Sequence, residues 1–259
     1  MVSKDATVNT RVKREQAAYD ETDVLENNAK LQRRFSHVFQ CPNTLKAEKY
    51  FEEEVKKSNR GAGSRALDYG CSSGWYSKKL KDWGFSEING IDISTKAIQE
   101  AHDRYSDIGK FEVMDAHRTT FPNNHFDLVV GRAILHHLDF ETAIKEIHRI
   151  LKPGGRVLFV EPLRDNPVGK FIRWLSPGTR TKDELPLSVK QIKWADGVFG
   201  RQKHRFFGLV SVGLGLGSSL VSKNPNNIAL RIADFTDNTI AKSPAKYWMR
   251  QAVLVWEKI

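Results

Sequence analysis

Three acids and two glycines at ordered spacing carry the first chemical signal in this chain. Asp68-Tyr69-Gly70-Cys71-Ser72-Ser73-Gly74 follows the short apolar run Ala66-Leu67 and precedes the helix-like stretch 75–80. A strand, a glycine turn and a helix start form the geometry that opens a nucleotide-binding βαβ unit. Glycines let the backbone approach a ligand or take a positive φ. A helix start offers free N–H groups and a partial positive charge. Asp92 comes 24 residues after Asp68, at the end of a second strand-like run. Its two oxygens suit the paired hydroxyls of a ribose. Asp115 closes a third run and can accept from an adenine amino group, with Ile93 and Ala116 flanking the ring. A dinucleotide site asks for G-x-G-x-x-G, and here Ser72 and Trp75 stand at its second and third positions. The dehydrogenase pattern therefore fails.

Proton-handling groups come next. Arg132-Ala133-Ile134-Leu135-His136-His137-Leu138 follows a fourth apolar run, and Glu161 ends a fifth. Open α/β sheets bind ligands at the carboxyl ends of their strands. An imidazole titrating near neutrality can take a proton from a hydroxyl or an acidic carbon. The alternative is that the histidine pair only caps and packs the following helix. Of the two, His137 is favoured as functional. Glu161 either acts on the acceptor or simply ends its strand. For Asp68 and Asp115 the alternative is capping or turn hydrogen bonding.

The elements that position these groups alternate. Strands are expected at about 64–69, 87–92, 110–114, 126–131 and 156–161, with helices at 74–83, 95–105 with Ser94 as N-cap, and 140–151. Leu151-Lys152-Pro153-Gly154-Gly155 reads as a helix stop and turn. Strand and helix in alternation imply an α/β domain on a parallel sheet with right-handed crossovers. The fourth run is continuously apolar from Leu128 to Val130, as a strand buried on both faces requires. Residues 22–58 have helical patterning broken at Cys41-Pro42, and the first ten residues are expected to be poorly ordered. Gln251-Ala252-Val253-Leu254-Val255-Trp256-Glu257 is a credible last strand.

Asp68-x-Gly70-Cys71-x-x-Gly74, Gly90-Ile91-Asp92, Met114-Asp115-Ala116, Leu135-His136-His137-Leu138 and Leu151-Lys152-Pro153-Gly154-Gly155 occur in this order. Together they resemble the class I S-adenosylmethionine-dependent methyltransferases, especially the small-molecule branch with the ubiquinone and menaquinone C-methyltransferases. The match spans about 64–162. One departure is Ser72, where that family often has glycine. The resemblance implies a Rossmann-like, seven-stranded, mostly parallel sheet, its last strand antiparallel and its helices on both faces. It implies S-adenosylmethionine as cofactor. Asp68, Gly70, Cys71 and Gly74 would form the loop around its methionine part, Asp92 the ribose site, and Asp115 with Ala116 the adenine site, Ile93 flanking the ring and Arg132 alongside. It implies methyl transfer by in-line displacement, with His137, His136 and Glu161 as catalytic candidates. Residues 161–167 and 181–184 also resemble uncharacterised bacterial relatives.

The domain expectation is an N-terminal helical lid at 1–60, a cofactor-binding core at 61–162, a basic and aromatic substrate cap at 163–205, and C-terminal strands and helix at 206–259. Net charge is +10, and residues 164–205 hold ten basic and four acidic side chains. That bias, with Phe171, Trp174, Trp194 and Phe199 in the cap, suits an anionic or amphiphilic small acceptor. The alternative is a solvated basic face over ordinary core aromatics. The two cysteines have no metal-like spacing, no metal is expected, and a reducing, cytoplasmic setting fits. No secretory leader is visible and no apolar run reaches bilayer length. The basic stretch 201–205 before the apolar run 206–216 admits peripheral membrane contact, although such a run more often forms buried strand and helix. Two readings compete with a small-molecule enzyme: an RNA or protein methyltransferase, and a non-catalytic binding protein. Strand four ends Gly131-Arg132-Ala133-Ile134 rather than in the Asn/Asp-Pro-Pro-aromatic tetrapeptide of amino-directed nucleic-acid methylation, so no nucleic acid is expected.

Overall fold

The computed structural model describes residues 4–21, 24–175, 181 and 184–259. Of the cap expectations, Ser176, Pro177, Arg180, Lys182 and Asp183 lie outside the described residues. The strands are β1 (Arg65–Tyr69), β2 (Glu87–Asp92), β3 (Lys110–Val113), β4 (Phe126–Arg132), β5 (Leu151–Pro162), β6 (Gly200–Gln202), β7 (Arg205–Phe207) and β8 (Gln251–Lys258). Helices α1 (Lys4–Glu21), α2 (Val24–Arg34), α3 (Ser36–Gln40) and α4 (Pro42–Lys56) precede the sheet. The crossovers are α5 (Trp75–Asp82), α6 (Thr95–Tyr105) and α7 (Phe140–Ile150). After them come α8 (Pro167–Leu175), α9 (Val189–Phe199), α10 (Val210–Val221) and α11 (Ile228–Ile240).

Strand order is β3-β2-β1-β4-β5-β8-β6, parallel through β5, with β8 antiparallel to β5. Both β6 and β7 pair antiparallel with β8, so the sheet has eight strands and not seven. The additional strands come from residues 200–207, which the sequence placed across the end of the cap and the start of the apolar run. Gly200, at φ +92°, turns the chain out of α9 onto the sheet edge, and Phe206 and Phe207 are buried there. The run at 151–155, expected as a turn, belongs to β5: Leu151 pairs with Phe126, and a bulge precedes the Leu128–Arg156 pair. α1 begins at Lys4 within the stretch expected to be disordered, and its later side chains are tied to the core.

The sheet is covered on both faces. Ile144, Ile147 and Ile150 of α7 and Ile192 and Phe199 of α9 pack on one. Phe51 and Val55 of α4 and Tyr76 and Leu80 of α5 pack on the other. Phe126 and Val129 join the first cluster while Leu128 and Val130 join the second, which is why β4 is apolar at consecutive positions. Each such buried side chain contributes about 1.5–3 kcal/mol.

Gly74 sits where β1 hands over to α5, at φ +78°, and a Cβ there would stand 3.1 Å from Phe111 and 3.1 Å from Tyr105. Gly74→Ala is expected to cost about 2–4 kcal/mol, from the left-handed backbone and crowding together. Thermal unfolding checks this, at roughly 2–4 °C per kcal/mol for a chain of this size.

Candidate functional site

The loop after β1 is built before any ligand arrives. Gly70 takes φ +80°, and Gly70 N–H and Cys71 N–H both donate to Ile91 O at 2.8 and 2.9 Å. A Cβ on Gly70 would come within 2.8 Å of Ile134. Ser72 occupies the left-handed region at φ +47° and donates its N–H to Asp92 Oδ2 at 2.9 Å. Asp68 is buried beneath the loop and accepts from Ser77 Oγ at 2.7 Å. Burial, with Asp92 nearby, pushes its carboxyl up to about 7. Cys71 departs from its expected role. Its side chain packs with Ile98, Ala101 and Phe111, its N–H is spent on Ile91, and burial raises its thiol, so it shapes the fold and does not line the cavity.

Asp92 also accepts from Ser94 N–H at 3.0 Å, while Ser94 caps α6. Burial raises this carboxyl against those backbone donors. Each oxygen takes one N–H and keeps lone-pair capacity for a further donor. Asp115 follows β3, and Oδ1 accepts from both His117 N–H, at 2.9 Å, and the His117 ring, at 2.7 Å. Burial works against its charge, but the His117 bonds outweigh that and hold the carboxyl low. Tyr69 OH donates to Ala116 O and fixes the neighbouring backbone.

On the β4–β5 side, Glu161 is fully buried. Its Oε1 accepts from Ile134 N–H and Leu135 N–H, both at 2.9 Å, and its Oε2 lies 2.7 Å from His136 Nδ1. Glu161 therefore holds the 3-10 turn Leu135–His137 and orients His136. The carboxylate asks for a proton on Nδ1, which leaves His136 Nε2 with its lone pair. His137 points instead at the N-terminal helix: Nδ1 lies 3.1 Å from Glu15 Oε2, and Nε2 lies 3.2 Å from Tyr19 OH. Thr181 Oγ1 donates to Glu15 Oε1 at 2.6 Å. Arg132 grips Glu48 of α4 with both terminal nitrogens, at 2.6 and 2.5 Å.

These groups surround one cavity of about 920 Å³. Of the expected site residues, Gly70, Asp92, Ile93, Asp115, Ala116, Arg132, His136, His137 and Glu161 line it. Asp68, Cys71 and Gly74 are not among its lining residues. α1 closes one side, with Glu15 and Tyr19 on the cavity, Arg11 donating to His136 O at 3.4 Å and Asp20 accepting from Ser94 Oγ at 2.5 Å.

Residues 67–159 match the methyltransferase domain family. Those residues form a methyltransferase domain. A 27-O-demethylrifamycin SV methyltransferase of Amycolatopsis mediterranei is 35% identical over 102 residues, 37% of this chain and 38% of that protein. A ubiquinone/menaquinone biosynthesis C-methyltransferase of Pseudomonas fluorescens is 33% identical over 120 residues, 41% of this chain and 45% of that protein. The aligned stretches thus span less than half of either relative. Among solved structures, geranyl diphosphate C-methyltransferase from Streptomyces coelicolor superposes with TM-score 0.58 at 14% identity, covering 82% of this chain and 79% of that one.

Around the methyltransferase domain the fold adds groups that sequence spacing did not reveal. Glu15 and Tyr19 reach His137 from more than 110 positions away, and Glu48 reaches Arg132 across 84. No local pattern marks such pairs. Among the described residues, His136, His137 and Glu184 also bring one potential metal-ligand atom each within 4.8 Å of one another. Both ring nitrogens of His137 are already engaged by α1 and its neighbours.

Proposed function

We propose that this chain binds S-adenosylmethionine in the cavity and transfers a methyl group to oxygen or carbon of a small acceptor by in-line displacement. The observation that carries the reading is convergence: the glycine loop, Asp92 and Asp115 share one cavity with the His136–Glu161 pair. The site fits the cofactor because two half-buried carboxylates at successive strand ends keep unused acceptor capacity beside a loop that a Cβ at Gly70 would crowd. Bound there, S-adenosylmethionine supplies an electrophilic methyl group on a sulfonium. Asp92 holds the ribose hydroxyls, and Asp115 and Ala116 hold the adenine. His136 takes the acceptor's proton at Nε2, with Glu161 fixing the ring. α1 excludes water, latched through Tyr19 and Glu15 to His137.

Support for an anionic or amphiphilic acceptor comes from Arg250, on the cavity wall where β8 begins. Its guanidinium donates to Thr44 Oγ1 at 3.2 Å and Gln251 Oε1 at 2.8 Å and lies 5.3 Å from the Phe39 ring, while its Nε and the Gln251 amide nitrogen have no hydrogen-bond partner among the described residues. The carboxylate that comes near, Glu48, is held by Arg132. A cytoplasmic setting belongs to the same proposal.

Calorimetric titration with S-adenosylmethionine and its demethylated product, with NAD as control, tests the reading. Micromolar binding of the first two and none of NAD is expected; absence of binding to both defeats it. The pH dependence follows from Asp68. Its folded carboxyl is raised, so between the ordinary carboxyl range and about pH 7 the folded chain keeps a proton that the unfolded chain has lost. Folding stability contributed by that group is present at low pH and is lost as pH rises through about 7. Asp68 lies beneath the loop and off the cavity wall, so the effect is expected in thermal unfolding between the ordinary carboxyl range and about pH 7, and Asp68→Asn should remove it.

A further inference from the structure

The C-terminal helices leave an apolar face uncovered. On α11, Ile228, Ile232 and Phe235 recur at helical spacing and point outward, with Phe235 74% exposed. The opposite side of α11 is committed to the fold: Leu230 and Ala233 are buried, and Asp234 binds Lys46 and Asn43 of α4. Leu220 and Val221 project from the end of α10, at 86% and 87% exposure. On α8, Phe171 and Trp174 are exposed as well, Trp174 to 73%.

These pieces adjoin. Gly213 of α10 faces Val168 of α8, with a built Cβ 3.9 Å from its Cγ2. Asn166 at the start of α8 donates to Trp248 O at 2.7 Å, and Trp248 is itself exposed. Asn227 at the start of α11 donates to Ser218 Oγ of α10 at 2.6 Å. Monomers rarely expose an apolar patch of this kind without an occupant.

Charge identifies that occupant. Between residues 206 and 250 the acidic side chains are Asp234 and Asp237, and both are buried. Asp237 accepts from the N–H groups of Leu209, Val210 and Ser211 at the start of α10. The outward charges of this hairpin are therefore basic: Lys223, Arg231 and Lys242 are exposed. α10 has no charged residue at all. A second copy meeting this face symmetrically would set cation against cation. A bilayer with anionic headgroups satisfies both features, apolar side chains entering the acyl boundary and lysine and arginine meeting the headgroups. No helix among the described residues is long and apolar enough to cross a membrane. We propose that the outer face of α8, α10 and α11 docks the protein peripherally on an anionic lipid surface. Gly169 and Arg173 of α8 line the cavity, so docking brings its mouth to the membrane. The proposal stands independently of the methyl-transfer reading.

Flotation of the full chain with vesicles of phosphatidylcholine alone, or with added phosphatidylglycerol, is the test. Binding should be at least about tenfold stronger to the anionic vesicles and should weaken in high salt. The pair Ile232→Glu with Phe235→Glu should reduce it by about tenfold or more. The pair Lys223→Glu with Arg231→Glu should abolish the preference for anionic lipid. Both pairs alter exposed positions, and an unchanged thermal midpoint shows that they fold. Equal binding to both vesicles, no binding to either, or a dimer in sedimentation that the Phe235→Glu pair dissolves would each overturn the proposal.

Discussion

Replacing Asp92 by alanine should weaken S-adenosylmethionine binding by about 10²–10³-fold. The carboxylate spends one lone pair of Oδ2 on Ser72 N–H and one of Oδ1 on Ser94 N–H, so each oxygen retains capacity for a ribose hydroxyl. Two hydrogen bonds to a charged acceptor are worth about 1.5–3 kcal/mol each, and the lower figure applied twice already reaches that range. The substitution also frees Ser72, a serine at φ +47° whose backbone the carboxylate helps to hold, so the loop loses preorganisation as well. Asp92→Asn keeps the side-chain shape and one acceptor oxygen, and should cost nearer tenfold. Calorimetry with the demethylated product measures both variants without needing an acceptor. Near-normal affinity of the alanine variant would remove Asp92 from the ribose site.

The contrast between what was legible in the sequence and what was not follows from range. Alternation of apolar runs with helical stretches located β1 through β4, the 156–161 part of β5, and β8, because each signal lies within one element; the antiparallel direction of β8 came from the family resemblance. Ser94 as a cap and Asp92 at a strand end were readable for the same reason. That the Cys71 side chain turns away from the cavity was not legible, because a motif position says that a residue lies in the loop, while the direction of its side chain depends on α6 and β3 packing beneath it. The edge strand β6 was missed because a three-residue strand carries no periodicity and forms only where β8 offers an edge, whereas β7 and α10 fall on the run 206–216 that reads as buried strand and helix. The proposal of His136 in place of His137 rests on partners that no spacing encodes: Glu161 behind one ring, Glu15 and Tyr19 against the other. The outward face of α11 was within reach of a helical-wheel reading, but which face was left over depended on α4 taking Asp234.

His136→Ala should lower turnover by about 10²–10⁴-fold, the range for loss of a general base, while affinity for the demethylated cofactor stays within about twofold. The ring lies with Nδ1 2.7 Å from a carboxylate that cannot donate, so its other nitrogen is the one that can receive a proton. Glu161→Gln separates orientation from charge. The amide oxygen can still accept from Ile134 and Leu135 N–H, which keeps the turn, but its NH₂ then faces Nδ1 and donates to it. The imidazole must answer by moving its proton to Nε2, toward the acceptor, and turnover should fall nearly as far as in His136→Ala with the fold intact. His137→Ala acts elsewhere: it releases Glu15 and Tyr19, so it should loosen α1 and raise KM for the acceptor more than it lowers kcat. The three variants therefore have different kinetic signatures. If His137→Ala abolishes kcat while His136→Ala and Glu161→Gln leave it unchanged, the base is His137 and the Glu161 pair is architecture. If all three leave kcat unchanged at saturation, the acceptor arrives without a proton to lose, and the cavity works by alignment alone.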